Sequence, residues 1–370
     1  MTVVDKIPAT SPRFLSLDFM RGLIMVLLAL ESSRLYDHLH EATDGNVLQH
    51  FFDQFFHHPW NGLRFWDLIQ PGFMFIAGTA LAFSLHKQQE RGVPWSKSFK
   101  KILKRCGWLF FWGVLNYAVE GNNRLSFELW NVLTQLSFTT LVAFLIFRWS
   151  FGSQILVCAG LLLLTEALYR FTNIQGFDQP FTDQQNFGNY MDLVLMNKIN
   201  NDGWVAINCI PTAVHTIGGA MAGKWLLQHR TNILPLFYWG AGCVIGGYLL
   251  DVADITPIIK RIATTSFTIV TLGWCLLALA VIYWWIDLKN HQRMLAFFTI
   301  VGMNSLFIYL FFEIVGARWL NDYIGNITYG LMGFTRIPVI VQGIITSLVI
   351  FSLEWYLCYF LYRKKIFFKL

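Results

Sequence analysis

The segment from Phe56 to Gly78 gathers side chains that could carry out acid–base chemistry. It holds two adjacent histidines, His57 and His58, and a carboxylate, Asp67. Imidazole has an unperturbed pKa near neutral pH, so it can accept and return a proton there. The segment runs directly into a long apolar stretch, and ionisable groups at a membrane are costly unless they are used. The pattern therefore predicts a proton-transfer site at a water–membrane boundary, with His57 as the base and Asp67 orienting its ring or stabilising its cation.

The rest of the chain must place that segment in a membrane. Hydrophobic residues make up 55% of the 370 residues and charged residues only 14%, whereas a soluble domain carries about a quarter charged residues. An apolar helix of about 20 residues crosses a hydrocarbon core of ~30 Å. The sequence therefore predicts an all-α, polytopic membrane protein with a single transmembrane domain over residues 1–370. About ten predicted spans lie at 20–36, 68–86, 102–119, 130–147, 152–170, 204–227, 233–250, 266–286, 296–313 and 339–361.

The distribution of charge predicts which side each end faces. Cytoplasmic loops hold an excess of Lys and Arg. Most of the 28 basic residues lie in segments predicted to be on the same side of the membrane as the N-terminus. Both termini are therefore predicted to be cytoplasmic, in a bacterial inner membrane, with His57 on the periplasmic side. The net charge of +6 follows from the same asymmetry, so we expect membrane lipid and no nucleic acid as a partner. The longest outer loop, about 171–203, is predicted to form a lid or wall over a pocket.

The spacing of the cysteines and of the other histidines indicates structural roles for them rather than metal binding. Most of the six cysteines lie in apolar runs, and none has C-x-x-C spacing. His38 and His40 do not share a face of a helix at that spacing, and no thiolate or carboxylate completes a ligand set. We therefore expect no metal site. His215, inside an apolar span, is expected to be a hydrogen-bonded core residue.

Several motifs, in one order along the chain, resemble those of one family. The segment Ser16-Leu17-Asp18-Phe19-Met20-Arg21-Gly22 is similar to the SLDxxRG signature of the transmembrane acyltransferase superfamily. The block from His57 to Gly78, with His-x-x-Trp-Asn-Gly-Leu at its start, resembles the heparan-α-glucosaminide N-acetyltransferase branch. Further similar blocks follow at 208–212, 219–224, 257–260, 266–267, 286–287 and 302–309. The resemblance spans about residues 13–315 and is nearest to bacterial members of NagX type.

This resemblance implies a function. Members of the family move an acetyl group from cytosolic acetyl-CoA, through the membrane, to the amino group of a glucosamine-type sugar on the other side. The family's motif histidine matches His57, whose implied role is general base or, alternatively, transient acetyl carrier. An amine attacks only when neutral, so a base is required to hold its proton. Acetyl-CoA is then the co-substrate, a small amino sugar or glycan amine the acceptor, and a homodimer an open alternative.

The remaining candidate residues divide by role. Asn304 is a candidate donor to the oxyanion that forms at the thioester carbonyl, with Asn61 as an alternative. The candidate acceptor-binding residues are Glu31, His58, Trp60, Asn61 and Lys260. The candidate residues for binding CoA are Arg21, Ser305 and Lys224.

Several of these residues have two interpretations from the sequence alone. Glu31 either pairs with Arg34 one helical turn later or lines the pocket and holds a cationic amine. Arg21 either contacts a CoA phosphate or neutralises Asp18. Trp66 fits an aromatic belt at the membrane surface slightly better than a sugar-stacking platform.

The chain departs from the family pattern at two positions near Lys260. Ile259 stands where the family has an asparagine, and Ala263 stands where it has a tryptophan. Both changes predict a larger or drier pocket wall, and they bear on the substrate more than on the reaction.

Two other classes of protein remain open from the sequence. The first is a transporter for an amino sugar or N-acetylglucosamine, in which His57, Glu31 and Asp67 relay protons. Paired broken helices in two matching halves would support it, and the sequence shows no evident half-repeat. The second is a catalytically inactive, glycan-binding homologue.

Overall fold

A computed structural model of the chain describes residues 14–118 and 125–368. Arg13, where the predicted resemblance begins, lies outside the described residues. Within them the chain is helical, and its single antiparallel bridge joins Asn61 to Ile259. The helices are α1 (Leu15–Ser32), α2 (Leu35–Ala42), α3 (Val47–Phe52), α4 (Ile69–Glu90), α5 (Trp95–Ala118), α6 (Val132–Leu145), α7 (Phe151–Phe171), α8 (Phe187–Met196), α9 (Cys209–Gln228), α10 (Leu234–Val252), α11 (Thr265–Tyr283), α12 (Leu295–Met303), α13 (Ser305–Phe311), α14 (Asn321–Met332) and α15 (Val339–Arg363). Two π-helical segments, Trp284–Leu288 and Phe312–Leu320, follow α11 and α13.

The longer helices overlap the predicted apolar windows, whereas α2, α3, α8 and α14 lie largely outside them. The helical, apolar architecture confirms a polytopic helical membrane protein. Among the described residues, four helical segments are long and apolar enough to cross a membrane: Phe65–Glu90, Phe151–Phe171, Thr265–Leu288 and Val339–Arg363. The number rises to five if α12 and the run Ser305–Met332, bent by 76° to each other, are one span. The predicted count of ten and the predicted sides of the termini stay predictions.

The ninth predicted span is not one continuous helix. Asn304 separates α12 from α13, and its backbone lies outside the helical region at φ −117° and ψ 34°. Its side-chain amide donates to the carbonyl of Ile366 (3.0 Å) and its Oδ1 accepts from the N–H of Phe368 (3.0 Å). A short polar side chain that bonds to other backbone groups interrupts a helix, so the prediction that Asn304 lies within one helix was wrong.

Close packing of α4 against α9 fixes the part of the bundle that carries the site. Gly219 lies against the backbone of Phe75, and Gly78 against that of Thr216, with no room for a Cβ at either glycine. Small residues allow helices in a membrane to approach this closely. His215, fully buried on α9, bonds through Nε2 to Thr271 Oγ1 at 2.8 Å, as predicted for a core histidine.

The cysteines pack as predicted, and the long loop 171–203 is partly helical. Cys106, Cys275 and Cys358 are buried in the core, and all six cysteines are free thiols. The loop 171–203 folds into α8 and its flanks rather than remaining irregular. Asn186 caps α8 by accepting from the N–H of Asn189. We call the end of the bundle where α1 ends and α4 begins the site end.

Candidate active site

Three predicted side chains from separate loops meet at the site end. His57 follows the 3₁₀ turn Asp53–Phe55, Asp67 lies in the turn Phe65–Leu68 before α4, and Lys260 lies between α10 and α11. His57 Nδ1 is 3.1 Å from Asp67 Oδ1 and 2.9 Å from Lys260 Nζ. Lys260 Nζ is 3.5 Å from the same Asp67 oxygen. The structure thus joins a base candidate, a carboxylate and a cation that stand up to 203 positions apart in the chain.

The backbone fixes the Asp67 carboxylate in place. The side chain is fully buried, and its Oδ2 accepts from the N–H groups of Arg64 (2.9 Å) and His58 (3.2 Å). Its Oδ1 is therefore left for His57 and Lys260. A carboxylate held in this way can orient an imidazole and stabilise its cation.

The loop that carries Lys260 docks on the histidine loop through one glycine. The Gly62 N–H donates to the carbonyl of Ile258 at 2.8 Å, beside the bridge between Asn61 and Ile259. Gly62 has φ +145°, and a Cβ there would also run into the His58 ring. Glycine adopts this conformation without steric cost, so the short bridge forms and brings Lys260 to His57.

Burial and charge shift the pKa of both basic groups. Burial and the Lys260 ammonium lower the pKa of His57, and the Asp67 carboxylate opposes them. Burial lowers the pKa of Lys260 to about 8, although Asp67 favours its charged form. At neutral pH the imidazole is therefore neutral, and the lysine is mostly charged.

The histidine can face the cavity as a base in one of its tautomers. A neutral ring uses Nδ1 either to donate to Asp67 or to accept from Lys260, and not for both. When Nδ1–H donates to Asp67, the lone pair lies on Nε2, and the charged Lys260 pairs with Asp67 Oδ1. Within the described parts of the chain, Nε2 of His57 makes no hydrogen bond. In that state His57 can accept a proton from a ligand.

A cavity of about 340 Å³ opens beside His57 and Lys260. We call it the site cavity. It reaches along α1 from Glu31 to Met25, which corresponds to about 9 Å of helix. Residues of the loop 171–203, Asn200 and Asp202, line it, which confirms that this loop forms a wall over a pocket.

Glu31 lines the site cavity. Its Oε1 accepts a hydrogen bond of 2.9 Å from Trp66 Nε1. The side chain of Arg34 makes no ion pair with it, because α1 ends at Ser32 and Arg34 adopts a left-handed conformation with φ 61°. Of the two sequence interpretations, the structure supports the pocket position. Trp66 is 2% exposed and packs inside the protein, so the prediction of a membrane-belt position for it was wrong.

Sequence reasoning missed several residues that line the same cavity. They include the tryptophans Trp130 and Trp204 and the acidic residues Glu128, Asp202 and Glu313. Trp204 contacts His57 edge to face with ring centroids 5.7 Å apart, and Lys260 Nζ lies 5.5 Å from the centroid of the Trp204 ring. Both tryptophans stand at the start of a predicted span. An aromatic residue there is the available sequence signal for a cavity residue, but it is equally typical of an aromatic belt at the membrane surface.

Three predicted acceptor-site residues lie next to the site cavity rather than in its wall. His58 packs on Gly62. The Trp60 indole donates to the carbonyl of Phe181 at 2.8 Å, which ties it to the long loop. Asn61 is exposed and forms the backbone bridge. They support the loops that line the cavity.

The residues predicted to bind CoA or the oxyanion lie away from the site cavity. Asn304 bonds to the C-terminal segment, and Ser305 begins α13 beside it. Arg21 pairs with Asp18 at 2.8 Å, which agrees with its neutralising interpretation. Lys224 donates to Gln154 Oε1 at 2.9 Å and to the carbonyl of Phe147 at 3.1 Å. The structure does not bring these four together with His57.

The two departures from the family pattern do not form the wall of the site cavity. Ile259 is buried against Val205 and Ile262 in a separate apolar cluster. Ala263 is buried with Phe267 in another. The prediction that these changes enlarge or dry the cavity wall was wrong, because the loop turns their side chains into the core and only Lys260 into the cavity.

Comparison with known proteins agrees with the motifs. A family model described as "Heparan-alpha-glucosaminide N-acetyltransferase, catalytic" matches residues 13–240, which include His57 and Asp67. The chain is similar to the Homo sapiens protein "Heparan-alpha-glucosaminide N-acetyltransferase", with 23% identity over 431 residues. That alignment covers 99% of this chain and 61% of the human protein. The chain thus spans less than two thirds of that relative's length.

Proposed function

Since this chain belongs to the heparan-alpha-glucosaminide N-acetyltransferase catalytic family, we propose that it is a membrane N-acetyltransferase. It transfers an acetyl group from acetyl-CoA to the amino group of a glucosamine-type sugar. The family resemblance predicted from the motifs is confirmed. The reaction, the substrates and the residue roles below are our proposal.

One observation carries the proposal: the contact of His57 with Asp67 and Lys260 at the edge of a cavity of about 340 Å³. Binding cavities for small molecules have volumes of roughly 300–1,000 Å³. The lowered pKa of His57 keeps the ring neutral and able to act as a base at neutral pH.

The charge of the cavity wall fits a cationic amine. Glu31, Glu128, Asp202 and Glu313 line the cavity, whereas Lys260 is its one lysine or arginine among the described residues. Carboxylates favour an ammonium group over a neutral sugar through charge-assisted hydrogen bonds. Trp204 and Trp130 add flat apolar faces on which a sugar ring can pack.

The proposed reaction releases CoA as a thiol and one proton to water. Nε2 of His57 takes a proton from the ammonium, and the neutral nitrogen attacks the thioester carbonyl carbon to form the C–N bond. The electron pair of the C=O bond moves to oxygen. When the intermediate collapses, the C–S bond breaks, and the nitrogen gives its second proton to the departing sulfur. His57 then returns its proton to water, with Asp67 stabilising the cation meanwhile.

Lys260 takes the role that the sequence suggested for Asn304. The Asn304 amide already donates to Ile366, and Asn304 does not line the site cavity. Lys260 does line it and is buried beside the base. A fixed cation in a water-poor site stabilises the negative oxygen of a tetrahedral intermediate.

The donor is proposed to enter from the opposite end of the bundle. Ten membrane spans with both termini cytoplasmic would place His57 at the periplasmic face of a bacterial inner membrane. The floor of the site cavity is at Met25, one helical turn from Arg21. The acetyl arm would reach the floor along α1, with Arg21 near the phosphates. We propose direct transfer between the two bound substrates rather than an acetyl-histidine intermediate.

The first test is acetyl-CoA turnover by the purified chain in lipid, with glucosamine and muramic-type sugars offered as acceptors. We expect sugar-dependent CoA release that falls about 10²–10⁴-fold in His57→Ala, the range of a lost general base. His50→Ala is the matched control, because His50 is an exposed histidine of the same segment (84% exposed), and it should retain full activity.

Other outcomes would redirect the proposal. Absence of CoA release with every amine, together with sugar accumulation in sealed vesicles, would replace the enzyme with a transporter. Acetyl trapped on His57 in the absence of sugar, seen by mass spectrometry of the intact protein, would overturn direct transfer and leave the acetyltransferase in place.

A further inference from the structure

A second cavity, of about 430 Å³, lies beside the end of α1. We call it the second cavity. Ser33 and Arg34 from the end of α1, His38 from α2, one face of α14 and the first turns of α15 line it. It shares no lining residue with the site cavity. Glu31 lines one cavity and Ser33 the other, so the last turn of α1 separates the two.

The wall of the second cavity carries unused hydrogen-bonding groups. The side chains concerned are those of Arg34, His38, Asp322, Asn326 and Tyr329. Across the described ranges, none of these five makes a side-chain hydrogen bond or ion pair. Three of them, Arg34, Asp322 and Asn326, are exposed and the other two are half-buried, so water satisfies them until a ligand displaces it. One atom of the lining, Asn321 Oδ1, is buried without a partner in the described structure, and folded proteins pair nearly all the polar groups that they bury.

The orientation of α14 is consistent with a wall that surrounds water or a bound molecule. Its polar residues Asp322, Asn326 and Tyr329 turn toward the second cavity, whereas Ile327 and Leu331 are exposed on the opposite side. A helix at a membrane turns polar residues inward when they surround water or a bound molecule. The close approach of α2 to α15, where the His38 ring lies against Gly343, keeps the cavity wall in place.

Arg34 determines the charge of the ligand. It is exposed at the cavity, and its backbone has φ 61°, a conformation that is costly for most residues and that positions the side chain beyond the end of α1. A guanidinium recognises carboxylate and phosphate groups through two parallel hydrogen bonds. The neighbouring amide, carboxylate and phenol groups of Asn326, Asp322 and Tyr329 suit hydroxyl groups next to that acid.

We propose that the second cavity is a binding site for an acidic, hydroxyl-rich small molecule whose carboxylate or phosphate is held by Arg34. The site is separate from the acetyl-transfer site and does not depend on the reaction proposed for it. The shared chemistry, an acid flanked by hydroxyls, occurs in a soluble sugar acid and in the headgroup of phosphatidylglycerol.

The test measures binding to the purified full chain in nanodiscs of phosphatidylcholine. The probes are D-glucuronate and glycerol 3-phosphate, and their binding is measured by calorimetry. We expect saturable binding of at least one probe, and a loss of at least about tenfold in affinity in Arg34→Asn, since one charge-assisted pair is worth about 1.4 kcal/mol or more. Asparagine tolerates the left-handed backbone at this position, and the melting temperature in the same nanodiscs checks that the variant folds.

Three further variants isolate the contact. Arg34→Lys should bind with an affinity between those of the unmodified chain and Arg34→Asn, because it retains the charge but not the two parallel hydrogen bonds. Arg336→Asn, which removes an exposed arginine that does not line the cavity, should change nothing. Asn326→Leu should weaken binding without altering the backbone at Arg34, and it replaces Arg34→Asn if that variant does not fold. Binding should persist in His57→Ala.

A second arm distinguishes the two sources. Nanodiscs that contain phosphatidylglycerol should abolish probe binding and raise the melting temperature of the unmodified chain, but not that of Arg34→Asn, if the ligand is the lipid headgroup. If the probe binds equally in both lipids, the ligand is a soluble acid. No saturable binding, together with no effect of phosphatidylglycerol, would overturn the proposal, and so would binding that is unchanged in both Arg34→Asn and Asn326→Leu.

Discussion

The site cavity and the second cavity adjoin the same turn of α1, and their polar walls differ. In the site cavity most polar side chains already have protein partners: His57 has Asp67, and Glu31 has Trp66. In the second cavity the polar side chains of Arg34, Asp322 and Asn326 have no such partners among the described residues.

Because of this difference, the two walls suit different functions. Groups held by the protein keep one geometry before a ligand arrives, which catalysis requires because reorganisation is costly. Groups without partners gain their hydrogen bonds from the ligand, which favours binding and contributes little to the stability of the fold. We therefore expect substitutions to affect activity at the first cavity and ligand binding at the second.

After the loss of His57 itself, the strongest effect on activity is expected for Asp67→Asn. The amide cannot accept from His57 Nδ1–H and pair with Lys260 as the carboxylate does, so the ring is expected to turn or to adopt the other tautomer. Sugar-dependent CoA release should fall about 10²–10³-fold. Asp53→Asn is the matched control, since Asp53 pairs with His40 rather than with His57. Equal rates for the two variants would remove Asp67 from the mechanism.

A smaller effect is expected for Glu31→Gln. Glutamine keeps the hydrogen bond from Trp66 and loses the charge that attracts the amine. The KM for the sugar should rise about tenfold, with kcat changed by less than about threefold, since a charged hydrogen bond is worth roughly 1.5–3 kcal/mol. Glu41→Gln, at an exposed position of α2, is the control. A fall in kcat with an unchanged KM would contradict the binding role.

A shift in pH dependence is expected for Lys260→Met. The lysine cation lowers the pKa of His57, so its removal raises that pKa. The base acts only when neutral, and the rate is lost as pH falls through its pKa. The acid limb of kcat/KM should therefore move to higher pH. Lys198→Met, which removes a lysine paired with Glu128, tests whether loss of any nearby cation gives the same result. An unmoved limb would mean that His57 is not the titrating base.

The smallest expected effect is that of Asn326→Leu on stability and acetyl transfer. Asn326 has no side-chain partner in the described structure, so the melting temperature should change by no more than about 2 °C, and CoA release by less than about twofold. Asn131→Leu is the contrast in the wall of the site cavity. Asn131 accepts from the N–H groups of Leu133 and Thr134 and donates to Gly113, and its loss should cost about 2 kcal/mol. Equal destabilisation by Asn326→Leu and Asn131→Leu would contradict the difference that we infer between the polar walls of the two cavities.

The fold class and the centre of the site could be predicted from the sequence for physical reasons. A helix must satisfy its own backbone in lipid, so long apolar runs with few charges indicate membrane helices before any tertiary contact is known. His57, Asp67 and Glu31 carry groups that are costly near a membrane, and that cost marked them as candidates, whereas Lys260 became a candidate through the family resemblance alone.

The break at Asn304 and the position of Trp66 could not be predicted in this way. An apolar pattern is the same for a continuous and a broken helix, and the bond from Asn304 to Ile366 joins residues far apart in the chain. An aromatic residue near a predicted span has the same signature whether it faces lipid or, like Trp66, a glutamate of the site cavity. The second cavity could not be predicted from the sequence, because its polar groups come from four separate segments.

The sequence by itself determined that this chain is a helical membrane protein, that it belongs to an N-acetyltransferase family, and that His57 and Asp67 are close enough in sequence to meet. The tertiary structure alone brings Lys260 to them, because the hydrogen bond from the Gly62 N–H to the Ile258 carbonyl joins distant loops. It also decided that Arg34 turns away from Glu31, since α1 ends between them. Local patterns depend on spacing along the chain, whereas these contacts depend on how helices and loops pack in space.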